Sequence, residues 1–126
     1  MIDDTMTTAS SRLEDLILWT HESNQFGWRA YLGERFGTDE VPAYAAAARA
    51  TDLHGLPPAY VSVGTADGFR DEDIAYAQRL MAAGVPTELH VYPGAPHGVA
   101  LWAGTTVAEM YRDDQERWLT RQFAAD

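Results

Sequence analysis

The chain has 126 residues, enough for one domain with a real but small core. Hydrophobic residues make up 46% and charged residues 22%, which describes a globular chain and excludes wholesale disorder. The formal net charge is -10 with only 9 Lys and Arg, so the clustered cations that a nucleic acid or an anionic membrane surface demands are absent.

Residues 1–11 are polar and rich in Thr and Ser, and read as a loop. Met1-Ile2-Asp3-Asp4 is acidic where a signal peptide would be basic, and no apolar run approaches the ~20 residues of a membrane span. A cytoplasmic location is therefore expected. Ser11-Arg12-Leu13-Glu14 has capping-box spacing and predicts a helix continuing through Leu16, Ile17 and Trp19. A second helix is predicted over Glu22 to Leu32, with Phe26, Ala30 and Tyr31 on its apolar face, Gly27 as a weak point and Gly33 as its stop. Gly37 to Pro42 reads as a turn and Tyr44 to Arg49 as a short helix, before Leu56-Pro57-Pro58 punctuates the chain.

From there the pattern is clearer. Ala59 to Val63 is a β-rich run ending at Gly64. Asp71 to Ala83 is a helix with acids in its first turn, Ile74, Ala77, Leu80 and Met81 on one side, and Gly84 at its end. Thr87 to Tyr92 is a second strand, stopped by Pro93-Gly94. Strand, helix and strand within this length predict a parallel βαβ unit. A last helix is expected from Thr106, whose spacing to Glu109 repeats the capping box, with Val107, Met110, Tyr111, Trp118 and Phe123 apolar. The fold class is α/β, with a helical segment and linker over residues 1–58 and a βαβα unit over residues 59–126.

Reactive groups in a parallel sheet gather outside the carboxyl ends of its strands. Two loops qualify: Gly64 to Glu72, holding Asp67, and Pro93 to Gly98, holding His97. An Asp beside a His has a definite use. The acid accepts from one ring nitrogen and fixes the tautomer, and the other nitrogen can then take a proton from a nucleophile. By spacing alone, an Asp beside glycines is more often a turn residue and a loop His more often solvated. His21 and His54 lie in polar surroundings and are expected to be exposed. His90 alternates with Leu89 and Val91 and so lies on the opposite strand face. Trp19, Trp28, Trp102 and Trp118 read as core or interface residues, and Tyr44 as a packing residue. No metal-ligand spacing and no phosphate-binding glycine loop occurs, and the chain has no cysteine for disulfides or thiolate chemistry, so no metal and no cofactor is expected.

Leu56-Pro57-Pro58-Ala59, Asp67-Gly68-Phe69-Arg70-Asp71-Glu72, Ala82-Ala83-Gly84-Val85-Pro86 and Tyr92-Pro93-Gly94-Ala95-Pro96-His97-Gly98 together resemble the end of the hormone-sensitive-lipase-like α/β-hydrolases. Phe26-Gly27-Trp28-Arg29-Ala30-Tyr31-Leu32-Gly33 resembles their cap-associated region, which extends the likeness over nearly the whole chain. The resemblance implies hydrolysis of carboxylic esters, often with small acyl groups, with Asp67 in the place of the triad acid and His97 in that of the base. It also implies that residues 1–58 are cap-associated and that Met1 to Asp4 are the tail of a core strand. Val99 departs from the family, which often has Phe there. Arg70, Asp71 and Glu72 are expected to fix the loop rather than to react.

The nucleophile elbow Gly-x-Ser-x-Gly and the His-Gly-Gly-Gly oxyanion loop of that fold do not occur in these 126 residues. The serines are Ser10, Ser11, Ser23 and Ser62, none of them at elbow spacing between glycines. The expectation is that this chain hydrolyses no ester alone and takes a small ester only when another part supplies the serine. A piece of a longer esterase, one half of a split esterase, and a non-catalytic binding or scaffold module all fit the sequence. An apolar strand edge beside Tyr60 to Val63 and the run Leu13, Leu16, Ile17, Leu18 and Trp19 predict a homo-oligomer.

Overall fold

The structure, a computed structural model, describes residues 1–124. Its regular elements are α1 (His21–Leu32), β1 (Ala59–Ala66), α2 (Arg70–Ala82), β2 (Thr87–Pro96) and α3 (Thr106–Phe123), with short 3-10 turns between them. β1 and β2 form a parallel pair in register from Ala59↔Thr87 to Gly64↔Tyr92, joined by α2. This is the α/β class and the βαβ order that the sequence predicts. Among the described residues, no helix is long and apolar enough to cross a membrane.

α2 is helical because acids open it and a glycine closes it. Asp71, Glu72 and Asp73 stand in the first turn, where the helix dipole favours negative charge. At the other end Gly84 takes φ +77°, Val85 N–H donates to Leu80 O and Gly84 N–H to Met81 O, the Schellman arrangement that stops a helix. Its buried side is Ala77 and Leu80, and Leu80 packs with Leu53 and Val85 against Ala59 and Val61 of β1. Met81, expected on that side, is exposed.

The N-terminal part departs further from expectation. Residues 13–19 are not helical; only Ser10–Arg12 makes a 3-10 turn. Ser11 caps nothing, because its hydroxyl donates back to Met6 O and Thr8 O at 2.8 Å. Asp15 and Leu18 take φ +60° and +71°, which no α-helix accommodates. The helix starts at His21 instead, capped by Thr20, whose hydroxyl accepts from Ser23 N–H at 3.2 Å. His21 is half-buried rather than exposed, and its Nδ1 lies 2.8 Å from Ser11 O. In α1 the buried residues are Asn24 and Trp28, whereas Phe26, Ala30 and Tyr31 are exposed. Trp28 packs with Met6, Val41 and Ala46 in a small core of its own. The 44–49 stretch is turn and 3-10 helix, and Tyr44 is fully exposed. Met1 to Asp4 form no strand pairing among the described residues.

Charged groups fasten this part to the βαβ unit. Within the N-terminal part Arg49 grips buried Asp4 through two bonds of 2.7 Å, and from α2 Arg79 reaches across to donate to Ala48 O and Ala50 O. Glu72 is buried and accepts from Ile2 N–H at 2.8 Å and Asp3 N–H at 3.3 Å.

α3 starts at Thr106 as expected, but its cap is Thr105, whose hydroxyl accepts from Ala108 N–H, and it buries Ala108 against Tyr92, Ala95 and Val99. Met110 and Phe123 are exposed, against expectation. Trp118 lies on Tyr60, with ring centroids 5.6 Å apart. His90 sits between Glu88 (2.7 Å from Nε2) and Asp114 (3.3 Å from Nδ1), on the face turned to α3. The buried Tyr92 hydroxyl donates to Asp114 Oδ2 at 2.9 Å, and burial pushes its phenol pKa up. Replacing Asp114 by alanine removes that acceptor and one His90 contact, leaving the hydroxyl its 3.3 Å contact with the Tyr60 hydroxyl. A loss of about 2 kcal/mol is expected, since a hydrogen bond to a charged group contributes roughly 1.5–3 kcal/mol. It would be read as a lower urea midpoint at unchanged slope; an unmoved midpoint would show that water replaces the carboxylate without cost.

Candidate active site

The site is made by an irregularity in the sheet. After Gly64↔Tyr92 the next pair is Ala66↔Pro96, so Thr65 on β1 faces Pro93, Gly94 and Ala95 on β2. The sequence reading stopped the second strand at Pro93-Gly94; the strand instead bulges there and continues to Pro96. Three features hold the bulge. Gly94 takes φ +72°, its N–H donates to Thr65 Oγ1 at 2.7 Å, and Ala95 fills the space that a side chain on Gly64 would occupy. β2 thus delivers its next residue, His97, beside the loop that leaves β1.

That loop is rigid. Asp67 is 7% exposed; its N–H donates to Gly64 O, and its Oδ1 accepts from Phe69 N–H at 3.0 Å. Its other oxygen, Oδ2, lies 3.0 Å from His97 Nδ1. This is within the 2.6–3.2 Å reach of a hydrogen bond expected for such a pair. Nε2 of His97 makes no hydrogen bond among the described residues, and the side chain is 38% exposed. With Nδ1 committed to a carboxylate, the arrangement can take a proton at Nε2 and stabilise the imidazolium that results. Both residues line a cavity of about 250 Å³ together with Ser62, Phe69, Asp73 and Tyr111. No hydrogen bond joins Ser62 to His97 among the described residues, and Ser62 lies within β1 as predicted. His54 is exposed and bonded to Asp52, and His90 is on the α3 side of the sheet; neither approaches this pair.

Other residues here were not legible beforehand. Ser10, fully buried, donates through Oγ to Gly68 O at 3.0 Å, while its N–H donates to Asp71 Oδ2 at 2.7 Å. Asp71 N–H returns a bond to Ser10 Oγ at 3.0 Å. Arg70 donates to Asp71 and to Thr65 O. Arg70 and Asp71 therefore hold the loop and Glu72 anchors the N-terminus, in keeping with their expected supporting role. Nothing in the spacing marks Ser10 as their partner 61 residues away.

Asp73 has a distinct electrostatic position. Burial, reinforced by the Glu72 and Asp67 carboxylates and opposed by the Met1 amine and His97, pushes its carboxyl up to about 7 from 3.8. A folded-state value above the unfolded one costs no stability below pH 3.8. The cost grows as pH rises through the window up to about 7 and is constant above it. Asp73→Asn removes that cost. Its gain in urea midpoint over the unsubstituted chain is expected to be larger at about pH 8 than at about pH 5. Equal gains at both would sink this account.

A family model described as α/β hydrolase fold matches residues 2–101. Esterase LipI of Mycobacterium tuberculosis is 42% identical over 80 residues, which are 64% of this chain and 25% of that protein. Among solved structures, Bacterial Heroin Esterase superposes with a TM-score of 0.95 at 40% identity, over 99% of this chain and 41% of that one. Esterase LipW from Mycobacterium marinum gives 0.89 at 33% identity, over 99% and 39%. The chain thus spans about a quarter to two-fifths of the length of these proteins.

Proposed function

This chain belongs to the hormone-sensitive-lipase-like α/β-hydrolases, and on that premise we propose that it carries the acid and base of a carboxylic-ester hydrolase. Asp67 orients His97, and His97 acts as general base toward a serine and then as general acid toward the leaving alcohol. The observation that carries this reading is the 3.0 Å approach of Asp67 Oδ2 to His97 Nδ1, with Nε2 left unbonded on a cavity. Residues 1–58 are the cap-associated segment and residues 59–126 belong to the catalytic domain. The serine and the oxyanion donors come from outside these 126 residues, and a small ester is bound only when they are present.

A chimaera tests the reading. This chain replaces the matched 41% of Bacterial Heroin Esterase, and hydrolysis of a short-chain chromogenic ester is measured. Turnover is expected. A chimaera that folds but hydrolyses nothing would favour the non-catalytic binding or scaffold reading.

The isolated chain is also expected to self-associate, by pairing of β1 edges between two copies. The exposed apolar side chains of Ile17, Leu18, Phe26, Leu101 and Trp102 favour burial against another surface. Light scattering over a dilution series should give at least a dimer at micromolar concentration. A cooperative monomer there would refute it.

A further inference from the structure

We propose that Trp19 is a positioning residue for His97, and that the run 16–19 is held against the site for this purpose; the inference rests on the catalytic reading of Asp67 and His97. A hydrogen bond from Nδ1–H to Asp67 fixes one atom of the imidazole but not the plane of the ring. Two aromatic walls supply the plane. Phe69 stands edge-on to His97, with centroids 5.2 Å apart and planes at 76°. Trp19 supplies the other ring, at 6.1 Å and 43°. Both separations are within the range of aromatic contact. Phe69 comes from the same loop as Asp67, so it moves with the acid. Trp19 arrives from a segment 48 residues earlier (67 − 19) and is independent of it.

The segment is docked at more than one point. Leu16 Cδ1 lies 3.1 Å from where a Cβ on Gly68 would be, beside Asp67. Leu18 Cδ1 lies 3.3 Å from where a Cβ on Gly98 would be, beside His97. Trp19 itself lies against Gly27 of α1, where a Cβ would meet the indole at 3.4 Å. The glycines flanking the acid and the base therefore both receive leucines from one run. To reach them the chain adopts positive φ at Asp15 and Leu18, a conformation that L-residues keep only where their surroundings over-determine it. Among the described residues the buried indole N–H has no partner, so no hydrogen bond of its own to them sets the ring in place.

The test reads the imidazole rather than activity, and uses the 126-residue chain. In the unsubstituted protein, a cross-relaxation signal between the Trp19 indole and His97 ring protons is expected. Nitrogen shifts of neutral His97 should report one tautomer, with the proton on Nδ1. In Trp19→Ala the ring-current shift of His97 should be lost, and both tautomers should appear; Trp19→Phe should restore the single form. Asp67→Asn separates this inference from the reading beneath it. If Asp67→Asn leaves the tautomer unchanged, the catalytic pairing fails. If it abolishes the preference while Trp19→Ala does not, in a chain with an otherwise intact amide spectrum, only the role of Trp19 fails. Should Trp19→Ala unfold, the Phe variant and the cross-relaxation signal decide. Absence of that signal, or a mixed tautomer in Trp19→Phe, overturns the proposal.

Discussion

Replacing His97 by alanine in the chimaera is expected to lower ester turnover by about four orders of magnitude, with little effect on the urea midpoint. The size follows from the base's role. Without it the nucleophile attacks at its free reactivity, and what survives comes from binding and oxyanion stabilisation. Stability should change little, since His97 is partly exposed and its ring makes one hydrogen bond. Asp67→Asn should also be severe, because an amide at that position no longer holds the required tautomer. The 126-residue chain alone should hydrolyse the ester no faster than its own His97→Ala variant, even at high protein concentration. No nucleophile elbow is encoded in it, and each missing oxyanion donor removes roughly 2.7–4 kcal/mol of transition-state stabilisation. Turnover of the isolated chain that disappears on His97→Ala would require a nucleophile among Ser10, Ser11, Ser23 and Ser62, and would overturn the assignment of an external serine.

Gly64→Ala is expected to destabilise the fold by about 3 kcal/mol and to disconnect the acid from the base. A Cβ on Gly64 would enter the carbonyl of Ala95 and stand 2.8 Å from the Ala95 side chain. Backbone cannot step aside as a flexible side chain can, so the strain of overpacking applies at its upper end, roughly 1–3 kcal/mol or more. The displaced segment is the bulge that delivers His97. The His97 imidazole should therefore lose its single tautomer along with the stability. Gly55→Ala is the control. Gly55, unlike Gly64, has a positive φ, +71°, and among the described residues nothing lies within 4 Å of a Cβ there, so only backbone strain of about 1–2 kcal/mol is at stake. An unmoved midpoint in Gly64→Ala would mean that the close approach is relieved without cost.

The sequence carried the α/β class, the βαβ order and the residues of the candidate pair because these rest on local signals. Acids opening α2, Gly84 closing it, and β-rich runs on either side are properties of neighbouring residues. So is the placement of Asp67 and His97 just past strand ends, where topology alone brings the loops to one edge. Where the reading went astray, it applied a local rule that a distant contact overrode. Ser11-Arg12-Leu13-Glu14 has the spacing of a capping box, yet Ser10 is drawn to Asp71 and Gly68, and the run behind it is stretched so that Leu16, Leu18 and Trp19 reach the two loops. Phe26 and Ala30 share a helical face at i, i+4 spacing, but the pocket of Met6, Val41 and Ala46 receives Trp28 instead. Periodicity names the candidate faces of a helix and not which one has a partner.

By itself, then, the sequence determined which residues have the chemistry and on which elements they sit. Only the tertiary structure decided how they meet. The bulge from Pro93 to Ala95, the bare Gly64 that admits it, and the strained run carrying Trp19 to His97 all depend on contacts between residues far apart in the chain. Such contacts form where backbone approach and packed volume agree in three dimensions, and no spacing along the chain encodes that agreement.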